Sequence, residues 1–339
     1  MRLDDIEEAL HDSFDHDHLA IYADELQRRG DPRGELIAID LRADEQAIDV
    51  NETGEMTGEM SARRRELLRS LLGPIASAHP LVRCRYGFVD LMFALREEMR
   101  AGVLRAFDAT LQGPLGRFVR DVTLYGDGPR LRDLMVSLGK QPRPFLTRLA
   151  IEGPHQLHYI DLPREVAALA VPMMPRLEKV EGFGRRAIPS VEFPTVRHVV
   201  SHGYDSVTAL CASNGGPPCF PRVDHVNLRL SWTLPHQQIE ALLPPAQLPS
   251  LRELDLSRCT DPIGDSVGYD VFRYLRKVAI APQVERLRVP SVDNVEQAVN
   301  LQAAIDRMPQ LIELGIAGSR YPLRAVPLRH PTASVRPIG

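Results

Sequence analysis

The clearest structural signal in the chain is Leu251-Arg252-Glu253-Leu254-Asp255-Leu256-Ser257-Arg258-Cys259. It has the spacing L-x-x-L-x-L-x-x-C, in which three leucines can point into one core and a cysteine closes the turn. Because side chains alternate along a strand, Glu253 and Asp255 are expected on the face opposite to the leucines. One such strand cannot bury its apolar face alone, so the pattern predicts neighbouring copies of itself.

Copies of this spacing recur through much of the chain as hydrophobic-x-x-hydrophobic-x-hydrophobic segments. Clear copies begin at Phe88, Val119, Leu146, Val223, Leu251, Val284 and Leu311, and weaker copies begin at Leu177 and Val196. Neighbouring copies mostly start 27 to 33 residues apart, with one interval of 19. The longer intervals leave room for a strand and a helix, and the core pattern resembles that of leucine-rich repeats.

The expected fold is therefore an α/β leucine-rich-repeat-like solenoid of about eight or nine repeats, with a curved parallel sheet, outer helices and an α-helical N-terminal cap. Helices are expected in the intervals 94–111, 131–139, 163–171, 204–213, 235–243 and 294–307. Proline-rich joints end these helices before each strand, because proline cannot continue a helix. The Pro- and Arg-rich chain after Ile316 is expected to cover the last repeat as an irregular cap.

The N-terminal segment predicts two helices joined by a very short turn. The first helix has one apolar face at helical spacing, made by Leu19, Tyr22, Ala23 and Leu26. Gly30 is expected to end that helix in a left-handed conformation. Asp31 then caps the second helix and Pro32 takes its first position, where a missing N–H costs nothing. An ion pair between Asp24 and Arg33 is expected to fix the hairpin.

This hairpin also carries a family resemblance. The stretch Tyr22-Ala23-Asp24-Glu25-Leu26-Gln27-Arg28-Arg29-Gly30-Asp31-Pro32-Arg33-Gly34-Glu35-Leu36-Ile37 resembles the signature Y-A-D-W-L-x-E-R-G-D-P-R-G-E of the bacterial repeat-companion domain. Glu25 stands where that family usually has Trp. The later Arg65-Glu66-Leu67-Leu68 and Tyr86-Gly87-Phe88-Val89 are also similar to it, so the resemblance covers about residues 5–95. It implies a helical head in front of repeats and no known chemistry.

Together these observations divide the chain into five segments. They are an acidic helical hairpin at 1–42, a flexible acidic loop at 43–62, a helical cap and strand entry at 63–87, the solenoid at 88–318, and a Pro/Arg-rich tail at 319–339. The loop assignment rests on its repetitive acidic composition, which is typical of mobile segments.

The net charge of −4 conceals an uneven distribution. Residues 1–66 contain 19 acidic side chains and 8 arginines, and the remainder contains 26 acidic and 33 basic side chains. The acidic head could lie against the basic body, or each could serve a different partner. A third interpretation is that both are ordinary solvated surfaces.

The cysteines and the hydropathy indicate the cellular compartment. Cys84, Cys211, Cys219 and Cys259 lie far apart and form no C-x-x-C pair, which favours reduced thiols. No run of 18 apolar residues and no apolar signal core is present, so no membrane span is expected. We therefore expect a cytoplasmic protein.

The segment 11–18 is dense in histidine and aspartate and contains ligand types for a metal. However, it has neither the H-E-x-x-H spacing nor the spacing of a calcium loop. A solvated loop with a helix cap is the favoured interpretation, and metal binding is left open.

The candidate binding residues lie on the polar side of the predicted strands. Alternation places on this face His198, His225, Asn227, Arg229, Glu253, Asp255, Arg286 and Arg288. They are expected to be solvated and to form a mixed-charge surface on the concave side of the solenoid. A zinc site or a hydrolase-like His/Asp set is disfavoured, since no G-x-S-x-G motif exists.

The sequence thus favours a non-enzymatic scaffold without a cofactor that recognises a protein partner through its concave face. The alternative is a regulatory adaptor whose acidic helical head binds one partner while the repeats bind another. Nucleic acid is disfavoured because the charges on the face have mixed signs rather than forming a basic, aromatic-interleaved stripe.

Overall fold

The computed structural model describes residues 2–46, 59–73, 82–94, 101–153, 162–183, 188–189, 191–202, 219–229, 247–259, 271–276, 281–317 and 328–338. The helices in these ranges are α1 (Leu3–Asp12), α2 (His16–Arg28), α3 (Pro32–Glu45), α4 (Glu59–Leu72), α5 (Ala101–Gln112), α6 (Gly128–Leu138), α7 (Arg164–Ala170), α8 (Val271–Leu275) and α9 (Val295–Ile305). No helix among the described residues is long and apolar enough to cross a membrane.

The strands form a long and mostly parallel sheet in which the spatial order follows the chain order. They are β1 (Val82–Arg85), β2 (Phe88–Ala94), β3 (Val119–Tyr125), β4 (Arg148–Glu152), β5 (Lys179–Phe183), β6 (His198–His202), β7 (His225–Arg229), β8 (Glu253–Asp255), β9 (Arg286–Val289), β10 (Glu313–Ala317) and β11 (Ser334–Ile338). The β1–β2 pair is antiparallel, and the strands from β5 to β11 pair in parallel. The fold is therefore mixed α/β.

The chain divides into two compact units. The N-terminal unit comprises Met1–Gly126, Asp133–Leu149 and Leu169–Arg176, and the C-terminal unit comprises Asp127–Arg132, Ala150–Ala168 and Leu177–Gly339.

In the N-terminal unit, the predicted turn between α2 and α3 is confirmed. Gly30 has a φ of 73°, the side chain of Asp31 accepts a hydrogen bond from the N–H of Arg33, and Pro32 is the first residue of α3. A Cβ atom at Gly34 would lie 2.5 Å from the carbonyl oxygen of Ala23. Only glycine therefore permits the two helices to pack this closely.

The expected ion pair between Asp24 and Arg33 is wrong. Arg33 instead donates to Asp31, with Nε–Oδ distances of 2.9 and 3.0 Å, and its guanidinium lies 3.7 Å from the ring centre of Phe118. Asp24 is exposed. The carboxylate of Asp31 is nearer in sequence to Arg33 and also caps α3, so it supplies the counter-charge without a further side chain.

A buried ion pair connects α3, α4 and the β1–β2 turn. Asp40 accepts from Arg64 Nε at 2.7 Å and from the N–H of Tyr86 at 2.6 Å, and Arg64 also donates to the carbonyl of Cys84 at 2.5 Å. Asp40 and Arg64 are almost fully buried. Removing either partner would leave an uncompensated buried charge, so these residues act as one structural unit.

The acidic head is partly neutralised by arginines that follow it in the N-terminal unit. Arg117 lies 2.7 Å from the buried carboxylate of Glu7, and Arg176 lies 2.5 Å from Glu8. Two carboxylates of the head therefore form ion pairs with arginines that lie later in the sequence.

Several sequence boundaries need correction. The predicted acidic loop is shorter, because α3 continues to Glu45 and α4 begins at Glu59, while 47–58 lie outside the described residues. The histidine-rich segment is also mostly helical, since α1 ends at Asp12 and α2 begins at His16. The predicted helices at 131–139, 163–171 and 294–307 are confirmed as α6, α7 and α9. Those at 204–213 and 235–243 lie outside the described residues.

The tail was expected to be irregular, and part of it instead forms β11 beside β10. The N–H of Ser334 donates to the carbonyl of Ile312 at 3.0 Å. In a parallel strand, alternate residues bond to the same neighbour, so Pro337 falls at a position facing away from β10. A proline there has no N–H to offer to a further strand, which protects the edge of the sheet from extension.

The core of the C-terminal unit is a ladder of apolar side chains in register. Its members lie directly beside one another on consecutive strands and are all fully buried: Val199, Val226, Leu254, Leu287 and Leu314. The leucine at the centre of the L-x-x-L-x-L spacing is therefore held by a neighbour on each side, as the sequence predicts.

The first prediction concerns the hairpin turn. Gly30→Val should lower the free energy of unfolding by about 1–2 kcal/mol, because valine is strained at a positive φ. No atom lies within 4 Å of a Cβ at this position, so the cost comes from the backbone rather than from a clash. Thermal or urea unfolding measures this loss of stability. Gly30→Asn is the control and should lose less, because asparagine tolerates a positive φ better than valine does. Equal stability of the two variants would contradict the assignment.

The second prediction concerns the ladder. Leu254→Ala should lower the free energy of unfolding by about 2–5 kcal/mol, from lost burial and the cavity that remains. Val335→Ala is the matched control, because Val335 lies in the same register row but is 38% exposed. The control variant should lose less than about 1 kcal/mol of the free energy of unfolding. Similar losses of this free energy in both variants would show that the ladder is wrongly assigned.

Candidate functional site

All eight candidate residues lie on the strands β6 to β9 of the C-terminal unit, and the register arranges most of them in two rows. The first row contains one residue from each strand, in the order His198, His225, Glu253 and Arg286. The second row contains Asn227, Asp255 and Arg288 on β7 to β9. Strand β5 adds Lys179 and Glu181 to these rows. We call these nine residues and Arg229 the polar face.

The polar face exists because the strands alternate around a buried ladder. On β7, Val226 and Leu228 are buried in the core, so His225, Asn227 and Arg229 point to the other side. Parallel strands in register place equivalent side chains about 5 Å apart. The predicted residues are therefore brought together as neighbours.

The expectation that all these residues are solvated is wrong for the carboxylates. Asp255, Glu253 and Glu181 are only 6%, 9% and 7% exposed. Asp255 accepts hydrogen bonds at 2.9 Å from Asn227 Nδ2 and at 2.9 Å from the N–H of Ser257. Because its oxygens are occupied within the protein, Asp255 supports the face rather than offering a free charge to a partner.

Glu253 sits at the centre of the charged groups. Its carboxylate lies 3.3 Å from Arg288, 3.6 Å from Arg286 and 3.4 Å from Nδ1 of His225. The arginine side chains are about half exposed, at 43% and 51%. The carboxylate thus lies low between strands while the guanidinium groups extend above it into solvent.

The histidines form an uncharged centre. The rings of His198 and His225 lie 4.0 Å apart between centroids, and the Nε2 atom of each is buried without a hydrogen-bond partner. Burial lowers the pKa of His198 to about 4, assisted by the nearby His225 and Lys179. Burial also lowers the pKa of His225. Both imidazoles are therefore neutral near pH 7, which avoids repulsion at this short separation.

His202 borders the polar face at the end of β6. Its ring stacks on Phe183 with the centroids 3.7 Å apart. Burial, followed by the charge of Arg229, lowers the pKa of His202 to about 4. Three neutral histidines therefore lie on or beside this part of the sheet.

Neither of the disfavoured chemical alternatives gains support from this geometry. Within the described ranges, no group of three or more His, Cys, Asp or Glu side chains is placed to hold a metal ion. In the histidine-rich N-terminal segment, Asp15 caps α2 by accepting from the N–H of His18 at 2.9 Å and also contacts the ring of His18. These contacts lower the pKa of Asp15. That carboxylate performs the capping role expected from the sequence.

Arg336, which was not among the eight candidates, lies on the same side of the sheet as the polar face. Arg336 on β11 lies beside Gly315 of β10, which in turn lies beside Arg288 of β9, so it extends the second row. Arg336 is exposed. The alternation of Ser334 and Arg336 around Val335 is the signal that could have identified it, but the surrounding prolines favoured an irregular tail.

The chain was compared with family models, with curated proteins and with solved structures. No family model matches the chain, and no curated protein matches it. A crystal structure of a protein from Bacteroides fragilis is similar, with a TM-score of 0.49 and 14% sequence identity, and the match covers 72% of this chain and 73% of that one.

The third prediction concerns pH. In the folded protein the pKa values of His198 and His202 are about 4, so both side chains stay neutral down to about that pH. In the unfolded protein a histidine has a pKa of about 6.5. Below pH 6.5 the unfolded state therefore binds more protons, and stability should fall as the pH decreases from about 6.5 to 4. Thermal midpoints measured between pH 7 and 4.5 test this.

The control is the double variant His198→Gln with His202→Gln, which cannot take up these protons. Its midpoint should decrease less over the same pH range than that of the unmodified protein. An identical decrease in both would assign the acid sensitivity to other groups.

Proposed function

We propose that this protein is a non-enzymatic binding scaffold that recognises a protein partner through the polar face. In this proposal the parallel sheet belongs to a leucine-rich-repeat-like solenoid, preceded by a head of the repeat-companion type. The scaffold needs no cofactor and works in the cytoplasm of a bacterial cell.

The observation that carries the proposal is the position of the polar face on a rigid support. Its residues are fixed by strand register and lie directly over the fully buried ladder around Leu254. Arg286 and Arg288 already lie against Glu253, so part of their side-chain freedom is lost before a partner binds. Arginine is also enriched at protein interfaces because its planar fork makes several directed hydrogen bonds.

The fourth prediction tests this proposal by capture of partners from a lysate. The triple variant Arg229→Ala, Arg286→Ala and Arg288→Ala removes three partly or fully exposed arginines and leaves the buried Asp255 and Asn227 in place. The variant should remain folded but unfold at a lower temperature, because the buried Glu253 loses both of its guanidinium partners. A protein that the unmodified chain captures should be lost from the variant.

A matched control removes the same number of charges elsewhere in the C-terminal unit. Arg222, Arg273 and Arg307 are exposed and lie outside the polar face. Their triple alanine variant should capture the same partner as the unmodified protein. Capture by the face variant at undiminished strength would overturn the proposal.

A second candidate function is the adaptor, in which the acidic head binds a partner of its own. The specific observation is on the outer side of α2, where Ile21 is 45% exposed and its helical neighbours Asp17 and Asp24 are also exposed. An apolar side chain within an acidic rim suits a partner with a complementary basic rim.

Deleting the head is not a clean test of the adaptor, because the buried pair of Asp40 and Arg64 links it to the first strands. The triple variant Asp17→Lys, Ile21→Asp and Asp24→Lys changes only exposed positions. If this variant loses partners that the polar-face variant retains, the head is a separate binding surface. Loss of no partner would remove the adaptor alternative.

A further inference from the structure

The charges of the polar face indicate which kind of partner would bind there. This inference rests on the function proposed above. We propose that the partner contributes an acidic, extended peptide segment, and that three arginines anchor it at the β9–β11 end of the face. These arginines are Arg286, Arg288 and Arg336, which we call the arginine anchor.

The acidic and basic side chains of the polar face lie at different depths. Glu181, Glu253 and Asp255 are each at least nine-tenths buried. The cations above them extend outward, with the side chain of Lys179 32% exposed and those of Arg286 and Arg288 exposed to a still greater degree. A partner therefore meets guanidinium and ammonium groups first. Complementary carboxylates on the partner would gain charge-assisted hydrogen bonds there.

The residues of the arginine anchor lie on neighbouring strands. Arg288, Gly315 and Arg336 lie side by side on β9, β10 and β11. Strands are about 4.8 Å apart, so the two arginine backbones are separated by about 10 Å. Gly315 contributes no side chain between them, so a carboxylate placed over Gly315 would have one arginine on each side.

Glu313 determines which row of the polar face the acidic residues of the peptide can occupy. Glu313 lies beside Arg286 in the first row and is partly exposed. A second carboxylate brought to that point would be repelled, whereas the second row, around Gly315, has no such repulsion. The acidic residues of the segment are therefore expected over the second row, between Arg288 and Arg336.

The length of the segment follows from the spacing of the cations. From Arg229 on β7 to Arg336 on β11 there are four strand intervals, or about 19 Å. An extended peptide advances about 3.3 Å per residue, so roughly six residues span this distance. The neutral pair of His198 and His225 lies at the opposite side of β8 from the anchor and adds no competing charge.

A nucleic acid would also present anions, but the face is poorly suited to one. Proteins that bind single strands usually combine cations with aromatic rings on which bases stack. Among the described residues, Phe183 lies at the end of β5 beside this face, and one side of its ring is covered by His202. Among the described residues of this face, the ring is thus not offered as an open platform.

The fifth prediction uses the full-length protein and a fluorescein-labelled hexaglutamate peptide, with binding measured by fluorescence anisotropy. Hexalysine and hexaserine peptides serve as comparisons. Hexaglutamate should bind, the other two should not, and the affinity should fall as salt is raised, because the contacts are exposed ion pairs. The variant Arg286→Ala, Arg288→Ala, Arg336→Ala should weaken binding by at least about tenfold.

Two further variants sharpen the result. The control variant at Arg222, Arg273 and Arg307 removes three charges elsewhere and should bind like the unmodified protein. Glu313→Gln removes the repelling carboxylate and should tighten binding by a few-fold, roughly the effect of one exposed charge. Equal weakening by the anchor and control variants would mean that only net charge matters, and would overturn the arginine anchor.

The remaining outcomes separate this inference from the proposed function. Tighter binding of a thymidine hexanucleotide than of hexaglutamate would replace the acidic peptide by a nucleic acid and overturn the inference. If hexaglutamate does not bind but a captured protein still depends on Arg229, Arg286 and Arg288, the acidic inference fails and the proposed function stands. If neither the peptide nor any captured protein depends on the face, both fail.

Discussion

The C-terminal unit depends on the burial of one apolar side chain per strand against its equivalents on the neighbouring strands. Leu254 is fully buried and lies in register with Val226 on one side and Leu287 on the other. Burial of a leucine contributes about 1.5–3 kcal/mol, but only if both neighbours are in place. This dependence of each strand on the next fixes the register, because a shift of one residue would expose the ladder and bury the charges.

The same register gives the polar face its chemical character. Because Glu253 is fixed low between β7 and β9, it attracts Arg286 and Arg288 and holds them over the sheet. The histidine pair remains neutral, since burial makes two positive charges 4.0 Å apart unfavourable. Buried carboxylates thus position cations whose side chains extend further into solvent than Glu253 and Asp255 do.

The N-terminal unit illustrates how a motif in the sequence can specify geometry but not every contact. Gly30, Asp31 and Pro32 predict the helix end and the helix start correctly, because each acts through its own backbone or the nearest N–H. The predicted partner of Arg33 was wrong, because side-chain pairing depends on how α2, α3 and Phe118 pack. Glu25 is buried and forms ion pairs with Arg28 and Arg29, contacts that the helical pattern of α2 does not predict.

The sequence by itself determined the strands β2 to β10 and which side of these strands is apolar. The L-x-x-L-x-L spacing is a local property of alternating side chains, so the ladder and the eight candidate residues could be located from it. Only the tertiary structure decided how deep each polar residue lies and what stands beside it. Asp255 is buried, and Arg336 joins the face, because exposure and neighbourhood arise from strands that are distant in sequence and adjacent in the sheet.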